Sequence, residues 1–133
     1  MDSFPVRRVG TILAVADVGR SVAFYTERLG FAVEALYDDP PYATLTRQGV
    51  RLSLAEQGHP AEDRPGVAMV VPPDPSQLPV VLVLEVEDAQ AVHAALVAED
   101  ARLLAAPYAP PWGGLRFFVL DPDGYLVEIE QPG

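Results

Sequence analysis

The sequence predicts an α+β fold of two βαβββ modules with a cleft between them, and three observations carry that expectation. The halves repeat one pattern, because Val15-Ala16-Asp17 and Val86-Glu87-Asp88 each open a helical stretch. Each helical stretch is followed by short apolar runs bounded by turn residues, which is how strands read. Each half also closes on a matching segment, Gln48-Gly49-Val50-Arg51-Leu52-Ser53-Leu54 in the first and Asp123-Gly124-Tyr125-Leu126-Val127-Glu128-Ile129 in the second. A duplicated unit whose sheets face each other leaves a concavity between its copies, and that is where function is to be sought. The organisation expected is a single domain over 1–133, with a first module at 8–57, a proline-rich linker at 58–79 and a second module at 80–131.

Taken in order, Val9 to Val15 alternate as a strand does, and Asp17 supplies the cap of the helix that follows. Val18, Val22, Tyr25 and Leu29 then share one helical face, and Gly30 sits where a left-handed cap would end it. Phe31 to Tyr37, Tyr42 to Thr46 and Val50 to Ala55 read as three strands. The second module repeats this with a strand at Val80 to Glu85, Asp88 as cap and Ala89, Val92 and Leu96 as the helical stripe. Leu103 to Tyr108, Leu115 to Leu120 and Leu126 to Glu130 are its remaining strands. Within the linker, Val67-Ala68-Met69-Val70-Val71 reads as an edge strand or part of a lid, because the surrounding prolines forbid a helix.

The turn after Leu120 sets a register. Pro122 and Asp123 suit the centre of a type I turn and Gly124 the positive φ of a G1 bulge, which leaves Asp121 and Tyr125 flanking the loop. Counting back puts Phe118 opposite Glu128 and Arg116 opposite Glu130 on one face, with Tyr125, Val127 and Ile129 on the other. The apolar set packs on a helix in this reading, and Glu128 faces the cleft. The same count about Arg47-Gln48-Gly49 turns Val50, Leu52 and Leu54 to the helix and Arg51, Ser53 and Ala55 to the cleft.

Composition narrows the chemistry. The 133 residues, half of them hydrophobic, suffice for one well-packed domain whose modules share a core. The absence of cysteine excludes disulfides, thiolate catalysis and cysteine-based metal sites, and suits a reducing compartment. All nine basic residues are arginine, so a Schiff-base lysine is excluded. A formal charge of −10 argues against a nucleic-acid partner, which needs a basic footprint, and leaves cationic ligands or simple solubility as its meaning. The start Met1-Asp2-Ser3-Phe4-Pro5 lacks the basic and apolar regions of a secretory leader, and no run approaches the roughly 20 apolar residues of a membrane span. The expected location is cytoplasmic, with no membrane partner.

The same residues resemble the vicinal oxygen chelate superfamily of glyoxalases, bleomycin-resistance proteins and dioxygenases. The matching segments are Ala14-Val15-Ala16-Asp17, Ser21-Val22-Ala23-Phe24-Tyr25, Leu29-Gly30-Phe31, Pro111-Trp112-Gly113 and the stretch Phe118 to Glu128. The likeness spans nearly the whole chain and is closest in character to the bleomycin-resistance branch. It implies paired βαβββ modules forming a cupped, partly open mixed sheet around a central cleft, and a homodimer that covers the open edges. It leaves the activity open.

Enzymes of that family hold a metal through side chains near the start of each module's first strand and in its last strand. Glu128 matches one of these positions, whereas Gly10, Ser53 and Val81 fall at the others. One carboxylate does not hold zinc, iron or manganese, which need three or four protein donors, so the resemblance implies no metal and no cofactor here. His93 beside Val92 in the second helix and His59 before Pro60 in the linker read as packing or surface histidines.

The candidate ligand-binding residues are Trp112, Phe118, Glu128, Arg51, Ser53, Arg116, Tyr42 and Tyr108, joined by Tyr37 as a further aromatic at a strand end. Each has a structural alternative. Glu128 is a carboxylate paired with Arg116 or Arg51, a ligand contact, or a general base if the protein is an enzyme. Trp112, in Pro110-Pro111-Trp112-Gly113-Gly114, is a surface plug or, as in bleomycin-resistance proteins, part of the pocket wall. The tyrosines pack internally, line the cleft or enter a dimer interface. The leading expectation is a metal-independent protein that sequesters an aromatic or cationic drug or natural product, as in antibiotic resistance, without acting on it. The alternative is a lyase, isomerase or dioxygenase of the same superfamily with an atypical metal site or with Glu128 as base.

Overall fold

Two aspartates start the two helices. In the computed structural model, which describes residues 3–133, Asp17 is extended and its carboxylate accepts from the Arg20 amide at 2.9 Å. Asp88 does the same for the Ala91 amide at 3.0 Å, satisfying one otherwise unpaired donor at each helix start. The expectation drawn from Met1 and Asp2 lies outside the described residues.

The element order is β1 (Thr11–Val15), α1 (Val18–Glu27), β2 (Ala32–Asp38), β3 (Pro41–Arg47), β4 (Val50–Glu56), β5 (Val81–Glu85), α2 (Ala89–Ala98), β6 (Leu115–Leu120) and β7 (Leu126–Gln131). The strands form a four-stranded sheet ordered β1-β4-β3-β2 and a three-stranded sheet ordered β5-β7-β6. In each sheet the first strand runs parallel to the last and the others are antiparallel, so both sheets are mixed and unclosed, and with the two helices the fold is α+β. The chain falls into two compact units, Met1–Val71 and Pro72–Gly133.

In the first unit, Leu13, Val15, Ala43, Leu45, Leu52 and Leu54 alternate inward and are buried with Val18, Tyr25 and Leu29 of the helical side. The helix stops at Glu27, short of Leu29, and the chain then turns so that Gly30 takes φ +73° and the Phe31 amide donates to the Tyr25 carbonyl. Gly30 lies under the Arg47 guanidinium, which donates to the Leu29 carbonyl at 2.6 Å, so a side chain there would strike it. The β3–β4 turn holds Gln48 and Gly49 at φ 45° and 82°, the positive pair of a two-residue hairpin that keeps Arg47 opposite Val50.

In the second unit, Phe117, Val119, Val127 and Ile129 are buried on the α2 side with Ala89 and Leu96, and His93 packs edge-on against Phe117 with centroids 5.0 Å apart. His93 is thus a packing residue, as expected. The turn after β6 has the anticipated form. Gly124 takes φ 88°, its amide donates to the Asp121 carbonyl, and Asp121 pairs with Tyr125. The fully buried Asp121 carboxylate accepts the Asp123 and Tyr125 amides, each at 2.9 Å, and fixes the loop from inside.

One expected strand does not form, and of the two readings of Val67 to Val71 the edge strand is not the one observed. Leu103 to Tyr108 is not continuous: Leu103 and Tyr108 bridge to Val119 and Arg116 and the Leu104 amide donates to the Phe118 carbonyl, while Ala105 to Pro107 form no ladder with β6. Pro107 has no amide to give the ladder, and its ring excludes the residue before it from many backbone states. Val67 to Val71 is also not a strand. Its backbone is tied to the end of the first module instead, with the Gly58 amide donating to the Met69 carbonyl and the Val71 amide to the Gln57 side chain. Smaller differences fall at element ends, where β1 begins at Thr11 rather than Val9.

Candidate functional site

The register of β6 and β7 is the anticipated one, with Arg116 opposite Glu130, Phe118 opposite Glu128 and Val119 opposite Val127. Since Phe117, Val119, Val127 and Ile129 face α2, the alternation of a strand places Arg116, Phe118, Glu128 and Glu130 on the other face of this sheet. Tyr108 is brought to Arg116 by two backbone hydrogen bonds of 2.8 and 2.9 Å. Trp112 follows in a loop closed by the Gly113 amide donating to the Pro110 carbonyl. Gly114, at φ 83°, then passes against the carbonyl of Gln131 at the end of β7, where any Cβ would collide. That close approach holds the tryptophan loop beside the strand pair.

The result is an arginine surrounded by rings. The Arg116 guanidinium carbon lies 5.5 Å from the Trp112 ring centroid and 5.7 Å from those of Tyr108 and Phe118. Each distance is within the range of a cation–π contact. Arg116 Nη1 stands 3.9 Å from Glu128 Oε1, within Coulomb range and beyond a hydrogen bond. Arg116 Nε is buried with no hydrogen-bond partner among the described residues. Trp112 is 72% exposed and Tyr108 52%, so the rings hold the arginine while offering outer faces to solvent.

Glu128 is held above its ordinary pKa, first by burial and then by the neighbouring Glu130 carboxyl, with the Arg116 charge acting in the opposite direction. Glu130 was not singled out as a site residue, although its position two along from Glu128 on one strand is a sufficient signal that the two carboxyls share a face.

The other three candidates belong to the first unit. Ser53 is 7% exposed and faces Thr44 across β3–β4 with the hydroxyl oxygens 3.4 Å apart. Arg51 lies 3.8 Å from Glu34 of β2. Tyr42 packs at 6.2 Å from Tyr37, its cross-strand partner, and with Ile12, Ala55 and Met69 lines a cavity of about 100 Å³. At its rim His59 is bonded to Glu56 at 2.6 Å, which makes it a surface histidine tied to the end of β4.

A metal does not suit this donor set. Among the described residues no three His, Cys, Asp or Glu side chains gather to hold one, and Ser53 has its hydroxyl against Thr44. No step through a metal is therefore derived. Among the described residues, no helix is long and apolar enough to cross a membrane.

Comparison with known proteins agrees with this architecture. A glyoxalase/bleomycin resistance protein/dioxygenase from Nocardioides shares the fold with a TM-score of 0.80 at 22% identity, over 99% of this chain and 86% of that one. TnmS3, an antibiotic-binding protein from Streptomyces sp. CB03234, aligns with a TM-score of 0.74 at 20% identity, over 98% of this chain and all of that one. A glyoxalase-related enzyme from Fulvimarina pelagi is 30% identical with a TM-score of 0.73, over 95% of this chain and 88% of that one. No curated protein matches the chain. The family model of the Glyoxalase/Bleomycin resistance protein/Dioxygenase superfamily matches residues 8–129, nearly the whole length. With two mixed unclosed sheets, their helices and this match in hand, the chain belongs to the glyoxalase/bleomycin resistance protein/dioxygenase superfamily.

Proposed function

We propose that this protein binds a planar aromatic small molecule, without a metal and without transforming it, in the manner of the bleomycin-resistance branch. The observation that carries the reading is the exposed Trp112 ring, held with Tyr108 and Phe118 around Arg116 beside the partly buried Glu128. Flat rings held on one face by an arginine form a preorganised stacking surface, and such surfaces bind without reordering. The antibiotic-binding TnmS3, of the same fold, supports a drug or natural product as the ligand and resistance as the outcome. The arginine already occupies the position over the rings that a ligand cation would take, which favours the aromatic part of the expectation.

The test is the fluorescence of Trp112, the sole tryptophan, during a screen of aromatic drugs and natural products with and without divalent metals. Binders should shift its emission and raise the melting temperature equally in both conditions, because a ligand of the native state stabilises by mass action. Trp112→Ala should weaken binding about threefold to tenfold, the worth of an aromatic contact of about 0.5–1.5 kcal/mol. Stabilisation that appears only with metal refutes the metal-independent reading.

One observation favours an enzyme instead. A carboxyl held above its ordinary pKa is what a general base working near neutrality requires, and Glu128 is such a group. The glyoxalase-related enzyme of 30% identity adds weight to a lyase, isomerase or dioxygenase, and turnover lost in Glu128→Gln with binding intact would establish it. The proposed assembly is a cytoplasmic homodimer covering the outer strands of the unclosed sheets. Sedimentation at micromolar concentration tests it, a species of single-chain mass being the contrary result.

A further inference from the structure

The small-molecule reading leaves the ligand's polar chemistry open, and the pair Arg116 and Glu128 narrows it. Their closest atoms, Nη1 and Oε1, are 3.9 Å apart, so a donor and an acceptor lie side by side without bonding each other. Both side chains keep some surface, 30% for Arg116 and 14% for Glu128, and a group placed at this edge reaches both. Arg116 is a donor only, and ionised Glu128 is an acceptor only. The rings of Tyr108, Trp112 and Phe118 hold the guanidinium in place, which prevents it from turning away from a poor ligand.

Charge decides between the possible partners of that edge. A cationic group would face the Arg116 charge, which is fixed among the rings. An anionic group would face Glu128 and, on the same face, Glu130 opposite Arg116. Either one satisfies one side of the pair and is repelled by the other, at a loss of solvation for the group left unpaired. A neutral group with an acceptor beside a donor satisfies both.

Resting on that small-molecule reading, we infer that the ligand is a neutral planar aromatic molecule with an acceptor and a donor side by side on one edge, such as an aromatic amide or hydroxycarbonyl. Its carbonyl accepts from Arg116 Nη1, its N–H or O–H donates to Glu128 Oε1, and its ring lies against Trp112. Glu128 and Arg116 then act together as the selectivity device of the site. A site built to bond both atoms discriminates against an analogue lacking either one.

Three probes of one ring size test this: 2-naphthamide, 2-naphthoate and 2-naphthylmethylammonium, titrated into the native protein by calorimetry at neutral pH. The amide should bind about three- to tenfold tighter than either charged probe, the worth of a charge-assisted hydrogen bond at a partly exposed site. Glu128→Gln should improve naphthoate relative to the amide, and Arg116→Gln should improve the ammonium probe relative to the amide. The native rank order decides the matter even if a variant fails to fold. A charged probe that equals or exceeds the amide overturns the inference and leaves the small-molecule reading standing. If none of the three binds or perturbs Trp112 emission, while the screen of drugs and natural products also finds no binder, both fall together.

Discussion

At equivalent places in the two modules stand two different cross-strand pairs, Thr44 with Ser53 in the first and Phe118 with Glu128 in the second. The equivalence is geometric, since Ile12 of β1 pairs with Ser53 as Val83 of β5 pairs with Glu128. In the first module two small hydroxyls meet, nearly shielded from water, and neither carries charge. In the second, a carboxyl and a ring meet beside an arginine within reach of solvent. One backbone pattern thus supports a closed, neutral pair and an open, charged one, and only the second offers directional chemistry to a ligand. The hairpin turns differ in the same sense. The first is held by backbone conformation at Gln48 and Gly49, and the second by the buried Asp121 carboxylate.

The comparison breaks most readily at Ser53. Ser53→Glu places the second module's carboxyl in the first module's shielded position, where no described cation is paired with it, and should cost about 3 kcal/mol or more. Urea unfolding measures this. A loss below about 0.5 kcal/mol would mean that the two positions are equally tolerant and the contrast is one of sequence alone.

Next comes the second turn. Asp121→Ala leaves the part-buried Asp123 amide and the buried Tyr125 amide without their acceptor and should cost about 2–3 kcal/mol, most of it recovered in Asp121→Asn, which keeps an acceptor oxygen. Thermal unfolding of both variants checks the expectation. Equal losses would locate the effect in the charge rather than in the two hydrogen bonds.

The first turn should respond in the opposite direction. Gln48 is a non-glycine residue at φ 45°, so Gln48→Gly relieves its left-handed conformation and should stabilise by about 0.5–1 kcal/mol after the added freedom of the unfolded chain is counted. A destabilised variant would show that the Gln48 side chain contributes more than its backbone strain removes.

The smallest effect is a change of slope with pH. Burial and Glu130 raise the Glu128 pKa in the folded protein, so the folded state holds a proton where the unfolded chain has released it. Stability from this group is full below the ordinary carboxylate value and is lost as pH rises through the folded value. Glu128→Gln should flatten that decline, with a change below about 1 kcal/mol at neutral pH. The equivalent Ser53→Ala should leave the slope untouched, because a hydroxyl does not titrate there. An unchanged slope in Glu128→Gln would mean that the carboxyl is not disfavoured by its surroundings.

Much of this was legible in the residues because it depends on short-range rules. Asp17 and Asp88 announce helix starts, since an aspartate before an apolar stripe caps the free amides of the first turn. Asp121 to Tyr125 announces a three-residue hairpin loop, and once the loop length is known the period of two assigns every side chain of β6 and β7 to a face. Leu103 to Tyr108 reads as a strand because apolar content alone cannot reveal a chain that touches its neighbour at both ends and leaves it in the middle. Val67 to Val71 reads equally as strand or lid for the same reason, as its hydrogen bonds go to Gly58 and Gln57 rather than to a ladder.

The sequence by itself determined the capped helices, the β6–β7 register and the sharing of one face by Arg116, Phe118 and Glu128, because each follows from local conformational preference and a fixed side-chain period. Only the tertiary structure decided that Tyr108 and Trp112 close on Arg116. That convergence depends on the path of residues 105–114, which is set where Gly114 slides beneath the Gln131 carbonyl and where Tyr108 bonds back to Arg116. Contacts of that kind join residues across a loop through space, and no periodicity along the chain encodes them.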